Sequence, residues 1–558
     1  MNRFERLLSL CGCAALTASL LNSCAASQPG TSGTGQQTGG SAGLGSGGRS
    51  SASGGNTETG GTTGSAGAPA SGGTLGAGGS RTTGSGGTTG GGGGSTGTGG
   101  SLATGGLTGS GGTTGPGGGP ASGGATGSGG VSASGGAIGS GPTGPCDIYQ
   151  TANTPCGAAH STVRSLYAAY TGPLYQVQRA SDKATKDIPV GSGGFADTSV
   201  QDSFCAGTTC SIPIIYDQSP NGNHLRVTWF AYWLQSGGNP ADAGAAKITV
   251  GGHSVYGIKS GTNVAYRTGA PLKGTAVINK GSTTVTFSSP QTLPANSALL
   301  FAANAKDCPS NSWPNSCNFD VYYTATAIST STTGSLTNAY AGTSDSTTAV
   351  WNVTTKGLAT GDQAEAEYSV FDGKQYSQWC CFDYGNAELS GIDKGNATME
   401  AIYWGADTQF GQSGGGNGPW VAADLENGMF EGYDNGSTKI ASNTSVTAVP
   451  YVTAMLKGLS AQSCPSGLTS SGCFALKAGN ATSGNLAYKW NASTNSYGAR
   501  PPGYSPQKKQ GAIILGTGGD GSNTGTGIWF EGAMTLGAPP DATDDAVQAN
   551  IVAVGYGH

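Results

Sequence analysis

A long segment of small residues, 25–145, decides how much of this 558-residue chain can fold. From about Ser27 to Pro145 it consists almost entirely of Gly, Ser, Thr and Ala, with hardly a charged or aromatic side chain. Such a composition cannot bury enough apolar surface to offset the entropy lost on ordering, so we expect a flexible linker. Residues 146–558 remain, and this part is long enough for a large hydrophobic core.

Residues 1–24 predict export through a signal peptide. Arg3 and Arg6 precede an apolar run of roughly 15 residues that ends at small residues, which is the layout of a secretory signal. The letters LNSC at 21–24 resemble a bacterial lipoprotein signal, so we expect a lipid anchor at Cys24 and a location outside the cell or at its surface. Asn22 is unusual at its position, and ordinary secretion stays open as the alternative. We expect no transmembrane helix in the mature chain.

The 13 cysteines indicate a disulfide-bonded domain. Cys11 and Cys13 fall in the signal and Cys24 would carry the lipid, which leaves an even number for the folded part. Four pairs are close in sequence, and an oxidising compartment would favour a bridge in each: Cys146 with Cys156, Cys205 with Cys210, Cys308 with Cys317, and Cys464 with Cys473. The remainder is the adjacent pair Cys380 and Cys381, and the sequence alone does not fix the connectivity.

The charged residues and histidines argue against two classes of partner. The net charge is −5, only 10% of residues are charged and no basic stripe is present, so we do not expect nucleic acid as a partner. Zinc is disfavoured because the chain has no paired CxxC units and only four scattered histidines. We expect neither a metal nor a cofactor.

Short alternating segments predict an all-β fold. One early helix is expected over 158–170, where Val163, Leu166, Tyr167 and Tyr170 recur at helical spacing. Beyond it, short apolar segments bounded by Gly, Asn, Asp and Ser predict the strands of an antiparallel β-sandwich. Examples are SIPIIYD, TMEAIYWG, PWVAADLENGMFEG, GAIILGTGG and TGIWFEGAMT. Residues from about 272 to 358 are richer in Thr and Ser and predict an inserted β-rich segment, either a surface decoration or a substrate-gripping element.

Two acids follow one another on the predicted strand 419–430, PWVAADLENGMF. Strand alternation places Asp424 and Glu426 on the face that also holds Trp420 and Ala422, and it turns an apolar row to the other face: Val421, Ala423 and Leu425. Two carboxylates on one face are costly to bury unless a site uses them or solvent reaches them. A merely solvated strand face and a catalytic face are therefore both open.

A third acid, Asp520, follows the apolar strand end of GAIILGTGGDGSN. Gly516, Gly518 and Gly519 permit a tight turn that brings a ligand close to the main chain. Taken alone, this is a common turn aspartate. Together with the acids of 419–430 it fits glycoside hydrolysis, which requires one carboxylate at the anomeric carbon and one carboxylic acid at the leaving oxygen.

Several long motifs in order carry a resemblance to a known family. They run from GPCDIYQTANTPCGAAHSTVRSLY through FCAGTTCSIPIIYDQSPNGNHL, CCFDYGNAE, TMEAIYWG, GPWVAADLENGMF and GAIILGTGGDGSN to EGAMTLGAP. The chain from Cys146 to His558 resembles, apart from insertions, the catalytic domain of the α-L-arabinofuranosidase B group, glycoside hydrolase family 54. The resemblance implies a concanavalin-like β-sandwich and a retaining hydrolysis of terminal α-L-arabinofuranosyl groups from plant polysaccharides such as arabinoxylan and arabinan.

The resemblance also implies roles for individual residues. Glu426 matches the nucleophile and Asp520 matches the acid/base, which in a retaining enzyme lie about 5–5.5 Å apart. Asp424, Asn427 and Gly519 match positions that bind the sugar. Gly428 stands where a second Asn is often found, and Phe410 stands where a Trp flanks the sugar in relatives. These two departures put one sugar contact and one wall of the site in doubt.

The resemblance further implies a disulfide between Cys380 and Cys381, which would offer the sugar a rigid, apolar plate. Two separate bridges and two free thiols are the alternatives. Two rival functions also stay open: a non-catalytic surface carbohydrate-binding protein, and a glycosidase of shifted furanoside specificity. Glu400 and Glu531 lie on predicted strands, and each is interpreted as structural, with a role in orienting the catalytic pair as the alternative. Asp217 and His224 lie in a turn-rich segment and are interpreted as structural, and we assign them no chemistry.

Overall fold

The computed structural model describes residues 141–229, 237–305, 322–433, 439–490, 497–523 and 525–558. Its α-helices are short apart from one near the C-terminus: Pro145–Thr151, Thr198–Phe204, Ala302–Ala305 and Asp541–Val554. Two turns of 3-10 helix lie at Ser192–Gly194 and Ala461–Ser463. None of the helices within these ranges combines the length and the hydropathy that a membrane span requires.

Strands form most of the described fold, and they are numbered here in chain order. The first group precedes the predicted insertion: β1 (Cys156–Ser161), β2 (Pro173–Arg179), β3 (Thr185–Pro189), β4 (Cys210–Ile215), β5 (Leu225–Val227), β6 (Ala241–Asp242), β7 (Lys247–Val250), β8 (His253–Tyr256), β9 (Ile258–Ser260) and β10 (Tyr266–Thr268). The second group lies at the insertion: β11 (Ala270–Pro271), β12 (Ala276–Ile278), β13 (Thr284–Leu293), β14 (Ser297–Phe301), β15 (Tyr322–Ala325), β16 (Ile328–Ser335), β17 (Asp345–Thr348) and β18 (Val350–Asn352).

The third group of strands holds the acids singled out in the sequence. It comprises β19 (Glu365–Asp372), β20 (Asp383–Ala387), β21 (Glu400–Gly405), β22 (Gly411–Gly415), β23 (Trp420–Asp424), β24 (Met429–Phe430), β25 (Lys439–Thr444), β26 (Tyr451–Leu459), β27 (Cys473–Asn480), β28 (Ser483–Tyr488), β29 (Gly498–Ala499), β30 (Ala512–Leu515) and β31 (Gly527–Leu536).

Two large sheets form the sandwich. One has the order β1-β31-β19-β26-β27-β28, with β29 beside β27 and β9 beside β31. The other has the order β25-β22-β24-β23-β21-β20-β30-β10-β5-β4-β2-β3, with β6 beside β4. Strands β21 and β23 of the larger sheet contact β26 of the smaller one. The all-β sandwich predicted from the sequence is confirmed.

The space between the sheets is filled by large apolar side chains. Tyr368, Leu456 and Trp529 belong to the smaller sheet, Trp404 and Val421 belong to the larger one, and all five are 0–1% exposed. They lie in one continuous hydrophobic cluster. Burial of this size is the main favourable contribution to folding, since each large apolar side chain contributes about 1.5–3 kcal/mol on leaving water.

Strands β11–β18 form two four-stranded sheets, β11-β18-β14-β15 and β16-β13-β12-β17. They have a hydrophobic cluster of their own, in which Phe287, Leu299 and Phe301 are buried. The β-rich insertion predicted at about 272–358 thus coincides with a local core beside the main one. The Cys308/Cys317 pair predicted within it lies outside the described residues.

The helix predicted over 158–170 is wrong. Residues 156–161 form β1, which pairs antiparallel with β31. The strand ends at Ser161, whose hydroxyl oxygen accepts hydrogen bonds from the backbone N–H groups of Val163 and Arg164 at 3.0 Å. This local side-chain turn and the long-range pairing together override the helical spacing of the apolar residues. Val163 is buried in the main core without a helix.

The C-terminal helix Asp541–Val554 was not predicted. It carries Val547 and Ile551, both fully buried, on one face. Asp544 in its first turn accepts hydrogen bonds from the ammonium groups of Lys477 and Lys457, at 2.7 and 2.8 Å. These three charged groups are buried and hydrogen-bonded, so they hold the helix against strands β26 and β27 of the smaller sheet.

Four disulfides lie within the described residues, and each was among the predicted pairs. They are Cys146–Cys156, Cys205–Cys210, Cys380–Cys381 and Cys464–Cys473. The three bridges predicted from close spacing that fall in the described ranges are therefore present, and so is the bond between the adjacent cysteines. Bridges of this kind persist in oxidising compartments.

Candidate active site

A cavity of about 590 Å³ lies beside the larger sheet. The segment directly before β20 and the loops that follow β23 and β30 supply much of its wall. All the candidate residues named from the sequence line it: Cys380, Cys381, Phe410, Asp424, Glu426, Asn427, Gly519 and Asp520. Thr262, Asn263, Trp379, Asp407, Gln409, Gly428, Met429, Gly518, Ser522 and Asn523 complete the lining.

Glu426 projects from a turn, not from the strand that the alternation predicted. Strand β23 ends at Asp424, and both Glu426 and Asn427 adopt left-handed backbone conformations with φ of 63° and 54°. Non-glycine residues rarely adopt this region, and such positions are concentrated at functional sites. The backbone N–H of Glu426 donates to Oδ1 of Asp424 at 3.0 Å, which fixes the turn. The predicted apolar row, Val421, Ala423 and Leu425, is buried in the main core.

Asp520 lies on the glycine-rich loop that follows β30. Its Oδ1 accepts a hydrogen bond from the backbone N–H of Ser522 at 2.7 Å, and the N–H of Gly518 donates to the carbonyl oxygen of Ser522 at 2.9 Å. Gly519 has no room for a side chain, because a Cβ there would lie 2.6 Å from Oε2 of Glu426. The glycines predicted from the sequence therefore bring the main chain against the carboxyl group of Glu426.

The disulfide of Cys380 and Cys381 forms an apolar part of the wall. Sγ of Cys381 lies 3.3 Å from the hydroxyl oxygen of Ser522 and 3.7 Å from Oδ2 of Asp424. Trp379, 54% exposed, lines the cavity directly before the pair. Since the two sulfurs are bonded to each other, they offer no thiolate to a metal.

Below this wall, Asp424 is paired with a second buried acid. Asp383 of β20 is fully buried, and neither of its carboxyl oxygens has a hydrogen-bond partner among the described basic or N–H groups. Burial and the nearby charge of Asp424 raise the pKa of Asp383 well above its usual range. Burial likewise raises the pKa of Asp424 to about 7. Both acids therefore favour the protonated form more than an exposed aspartate does.

The electrostatics of Glu426 are dominated by burial and by other acids. Glu426 is only 5% exposed, and its pKa is raised well above the usual range by burial first and then by the surrounding carboxyl groups. These are, in decreasing effect, Glu388, Asp520, Asp424 and Asp393. Perturbed acids that converge on a cavity are typical of catalytic sites.

Arg267 of β10 is the buried cation beneath these acids. Its guanidinium donates to the carbonyl oxygens of Gly519 at 3.2 Å and Glu388 at 2.6 Å, so it holds two segments of the site through their main chains. Burial lowers the pKa of Arg267 to about 10, while the charges of the nearby acids oppose that shift. The guanidinium therefore stays charged at neutral pH.

A family model described as "Alpha-L-arabinofuranosidase B, catalytic" matches residues 145–293 and 295–557. The chain belongs to this family. The membership confirms the resemblance recognised from the ordered motifs.

Two curated relatives of the arabinofuranosidase B family show how far the similarity extends. Alpha-L-arabinofuranosidase B of Aspergillus oryzae is 41% identical over 420 residues, which cover 74% of this chain and 62% of the relative. A protein of Trichoderma koningii named arabinofuranosidase/B-xylosidase is 41% identical over 419 residues, covering 74% and 63%. The chain thus spans less than two thirds of the length of these relatives.

Solved structures of the arabinofuranosidase family share the fold. An arabinofuranosidase in complex with arabinofuranosyl-α-1,2-xylobiose superposes with a TM-score of 0.54 at 36% identity, covering 74% of this chain and 66% of that one. A glycoside hydrolase family 54 arabinofuranosidase soaked with a cyclic sulfate inhibitor gives the same values. These structures support the sandwich assigned above.

One departure from the arabinofuranosidase family pattern has a steric cause. A Cβ at Gly428 would lie 2.5 Å from the hydroxyl oxygen of Tyr504 and 2.5 Å from the ring of Phe430, so the second Asn would not fit. The Tyr504 hydroxyl donates to the carbonyl oxygen of Asn427 at 2.8 Å and supports the turn from below. At the other departure, Phe410 is 41% exposed on the cavity wall.

Each of the four polar residues interpreted as structural makes ion pairs or hydrogen bonds within the fold. Glu400 is buried between the side chains of Arg500 and Lys509, and Glu531 is paired with Arg164 at 2.7 Å. Asp217 accepts hydrogen bonds from the N–H groups of three residues around its turn: Ala159, Ser219 and Asn223. Nδ1 of His224 accepts from the N–H of Asp217 at 3.0 Å.

Sequence reasoning missed the buried acids behind the cavity. Glu388 and Asp383 lie in the motif CCFDYGNAE, whose strand β20 is buried on both faces, so no alternation marks which side chains turn toward the site. Asp393 was also missed, because it lies in an irregular segment. For Asp383 and Glu388 a signal was available, because both acids lie within ten residues of the adjacent cysteines, and an all-apolar strand would not show them.

Proposed function

We propose that this chain is a retaining α-L-arabinofuranosidase that removes terminal non-reducing α-L-arabinofuranosyl groups from plant polysaccharides such as arabinoxylan and arabinan. The observation that carries the proposal is the convergence of Glu426 and Asp520 on one cavity in a member of the arabinofuranosidase B family. A carbohydrate-binding protein would need neither acid in a reacting position, so the convergence favours catalysis over binding alone.

In the first step, ionised Glu426 attacks the anomeric carbon while protonated Asp520 donates its proton to the departing glycosidic oxygen. The carbon–oxygen bond to the leaving sugar breaks as the bond to Glu426 forms. The left-handed turn at 426–427 supports this role, because it points the Glu426 carboxyl group into the cavity. A covalent arabinosyl–enzyme ester results.

In the second step, Asp520 is a carboxylate and takes a proton from water, which attacks the anomeric carbon and releases Glu426. Two inversions give net retention of configuration. Asp424, Asn427 and Gly519 bind the sugar hydroxyls through a carboxyl, an amide and a main-chain group. The disulfide of Cys380 and Cys381 packs against the apolar C–H face of the furanose ring, and Phe410 flanks the sugar as a further part of the cavity wall.

The substrate class is supported by what the relatives are named for and bound to. One solved family member holds arabinofuranosyl-α-1,2-xylobiose, an arabinose linked to a xylose disaccharide. The Trichoderma koningii relative is named for both arabinofuranosidase and xylosidase activity. A β-xyloside is therefore the alternative substrate that an assay must include.

The test compares the wild-type chain with Glu426→Gln on 4-nitrophenyl α-L-arabinofuranoside and on 4-nitrophenyl β-D-xyloside. We expect turnover of the arabinofuranoside by the wild type and a loss of at least about 10⁴-fold in the variant, because Gln cannot form the ester. Substantial activity in Glu426→Gln refutes the nucleophile. Binding of arabino-oligosaccharides without turnover by the wild type would indicate a carbohydrate-binding protein, and preference for the xyloside would indicate a shifted specificity.

We also propose that residues 1–24 export the chain, that Cys24 carries a lipid and that residues 25–145 tether the hydrolase, 146–558, outside the cell. The support is the sequence of these segments alone, since the relatives described above are fungal and this lipid attachment is bacterial. Metabolic labelling with a fatty-acid analogue tests it. We expect the wild type to carry the label and Cys24→Ser to lose it. A wild-type protein that is unlabelled and freely secreted would instead indicate ordinary secretion without a lipid.

A further inference from the structure

Glu388, directly after β20, is a fully buried acid that the proposed mechanism does not use. Its Oε1 accepts a hydrogen bond from the hydroxyl of Thr398 at 2.5 Å. Its Oε2 is buried and has no hydrogen-bond partner within the described residues. A buried oxygen left in this state costs about 1–3 kcal/mol or more, so a partner for it is expected.

The unpaired oxygen of Glu388 faces the nucleophile. The carboxyl groups of Glu388, Asp393 and Glu426 lie within 4.8 Å of one another. A Cβ placed on Gly519 would lie 2.1 Å from Oε2 of Glu388 and 2.6 Å from Oε2 of Glu426, so both oxygens border the same small space. The missing side chain of Gly519 leaves that space open to a contact between the two acids.

Two carboxylates this close and this buried cannot both be charged at low cost. The surrounding groups do not remove the conflict, because Asp520, Asp424 and Asp393 add negative charge around Glu426. Arg267 is the cation packed against Glu388, yet its described hydrogen bonds go to carbonyl oxygens and not to either carboxyl group. One proton between the two acids is the arrangement that satisfies the geometry.

We propose that Glu388 is a positioning residue that holds this proton and donates a hydrogen bond from Oε2 to the carboxylate of Glu426. The inference rests on the proposed function, since Glu426 must be ionised to attack. Oε1 of Glu388 is hydrogen-bonded to Thr398, whose hydroxyl also contacts the carbonyl oxygen of Gly395 at 2.6 Å, so Oε2 is the oxygen of Glu388 that faces the nucleophile. The hydrogen bond orients Glu426 on the left-handed turn and keeps the pair at a single negative charge.

The proposal has a pH signature. Burial raises the pKa of Glu388 to about 7, so the proton leaves above neutral pH and both acids become charged. Glu426 then loses its donor and is repelled from its position. With a substrate whose leaving group needs a proton, the titration of Asp520 would mask the pH dependence that Glu388 imposes on Glu426. An arabinofuranoside with a 2,4-dinitrophenyl leaving group needs no proton in the first step, so its kcat/KM reports Glu426 and Glu388.

The experiment measures the pH dependence of kcat/KM for 2,4-dinitrophenyl α-L-arabinofuranoside in the wild type, Glu388→Gln and Glu388→Leu. In the wild type we expect kcat/KM to fall above about pH 7. Glu388→Gln keeps an N–H donor that does not titrate, so it should retain activity to within about tenfold and show no fall. Glu388→Leu has no donor and should lose about 10- to 100-fold at every pH.

A second readout does not depend on turnover. The infrared difference spectrum between the wild type and Glu388→Gln at pH 6 should contain one protonated carboxylic C=O band of the wild type, which disappears above pH 8 and which the other buried acids, common to both proteins, do not contribute. The band separates failure of this inference from failure of the proposed function, because it is present even in a chain that hydrolyses no arabinofuranoside.

Three outcomes would overturn the role of Glu388. The first is a fall of kcat/KM at alkaline pH in Glu388→Gln that equals the fall in the wild type. The second is an equal loss of activity in Glu388→Gln and Glu388→Leu, and the third is the absence of the infrared band. Loss of activity on treatment with a chelator, with recovery on adding Ca²⁺, would also overturn it, because a cation and not a proton would then neutralise the pair.

Discussion

Sγ of Cys381 lies 3.7 Å from Oδ2 of Asp424, so the disulfide and a carboxyl group meet in one wall of the cavity. A sugar seated there would contact an apolar plate with its C–H groups and a polar acceptor with its hydroxyls. Cys381 lies two residues before β20 and Asp424 ends β23, and these two strands are held in register through β21 between them. The wall is therefore rigid before a ligand binds, which lowers the entropy lost on binding.

Loss of the disulfide should weaken substrate binding more than it weakens the fold. We expect the double variant Cys380→Ser, Cys381→Ser to raise KM for an aryl arabinofuranoside about 3- to 10-fold, because a polarizable sulfur contact contributes roughly 0.3–1.5 kcal/mol. Steady-state kinetics measure the effect. The matched control is Cys205→Ser, Cys210→Ser, which removes a short bridge that does not line the cavity. Unchanged KM in the first variant, or an equal rise in both, would contradict a sugar-binding plate.

A single methyl group at Gly519 should impair catalysis while leaving the fold intact. The added Cβ in Gly519→Ala would displace the carboxyl groups of Glu426 and Glu388. A shift of about 1 Å in a catalytic group can cost about 100-fold in rate, so we expect a fall of that order in kcat. Gly261→Ala is the control, because a Cβ there meets nothing within 4 Å and no positive φ is required. Wild-type kcat in Gly519→Ala would contradict the close approach.

Stability should fall as the pH rises from about 5 to 8. Burial raises the pKa of Glu365, Glu388 and Asp424 to about 7 each, above the values of these acids in an unfolded chain. The folded state therefore retains protons that the unfolded state has released, and the stabilisation present below the unfolded pKa is lost as the pH passes 7. Scanning calorimetry at pH 5 and pH 8 should show a Tm several degrees lower at pH 8. An equal or higher Tm at pH 8 would contradict these directions.

The fold could be predicted from the sequence where the signal is local. Segments such as GAIILGTGG alternate or run apolar between turn residues, and they are strands in the structure. The error at 158–170 arose because the helical spacing of Val163 and Leu166 is local, whereas the pairing of β1 with β31 joins residues far apart in the chain. The missed helix Asp541–Val554 did have a signal, since acids lie in its first turn and Gly555 ends it with φ of 82°.

The site could be predicted in part because two of its segments carry acids beside turn residues. The segment around Glu426 and the glycine-rich loop of Asp520 are both readable in this way, and the structure places them at one cavity. Glu388 and Asp383 could not be found, because burial on both faces of β20 hides the direction of each side chain. The left-handed turn at Glu426 was missed for another reason: alternation assumes that the strand continues, and here it stops at Asp424. The chemical roles of all these residues remain predictions.

The central claim, that Glu426 forms the covalent intermediate and Asp520 assists its breakdown, is tested most directly by trapping. The variant Asp520→Asn should react with 2,4-dinitrophenyl α-L-arabinofuranoside and then accumulate the ester, because it lacks the base that activates water. Peptide mass spectrometry after acid quenching should show one anhydropentose attached to Glu426. An adduct on a different residue, or full turnover by Asp520→Asn with no adduct, would contradict the account.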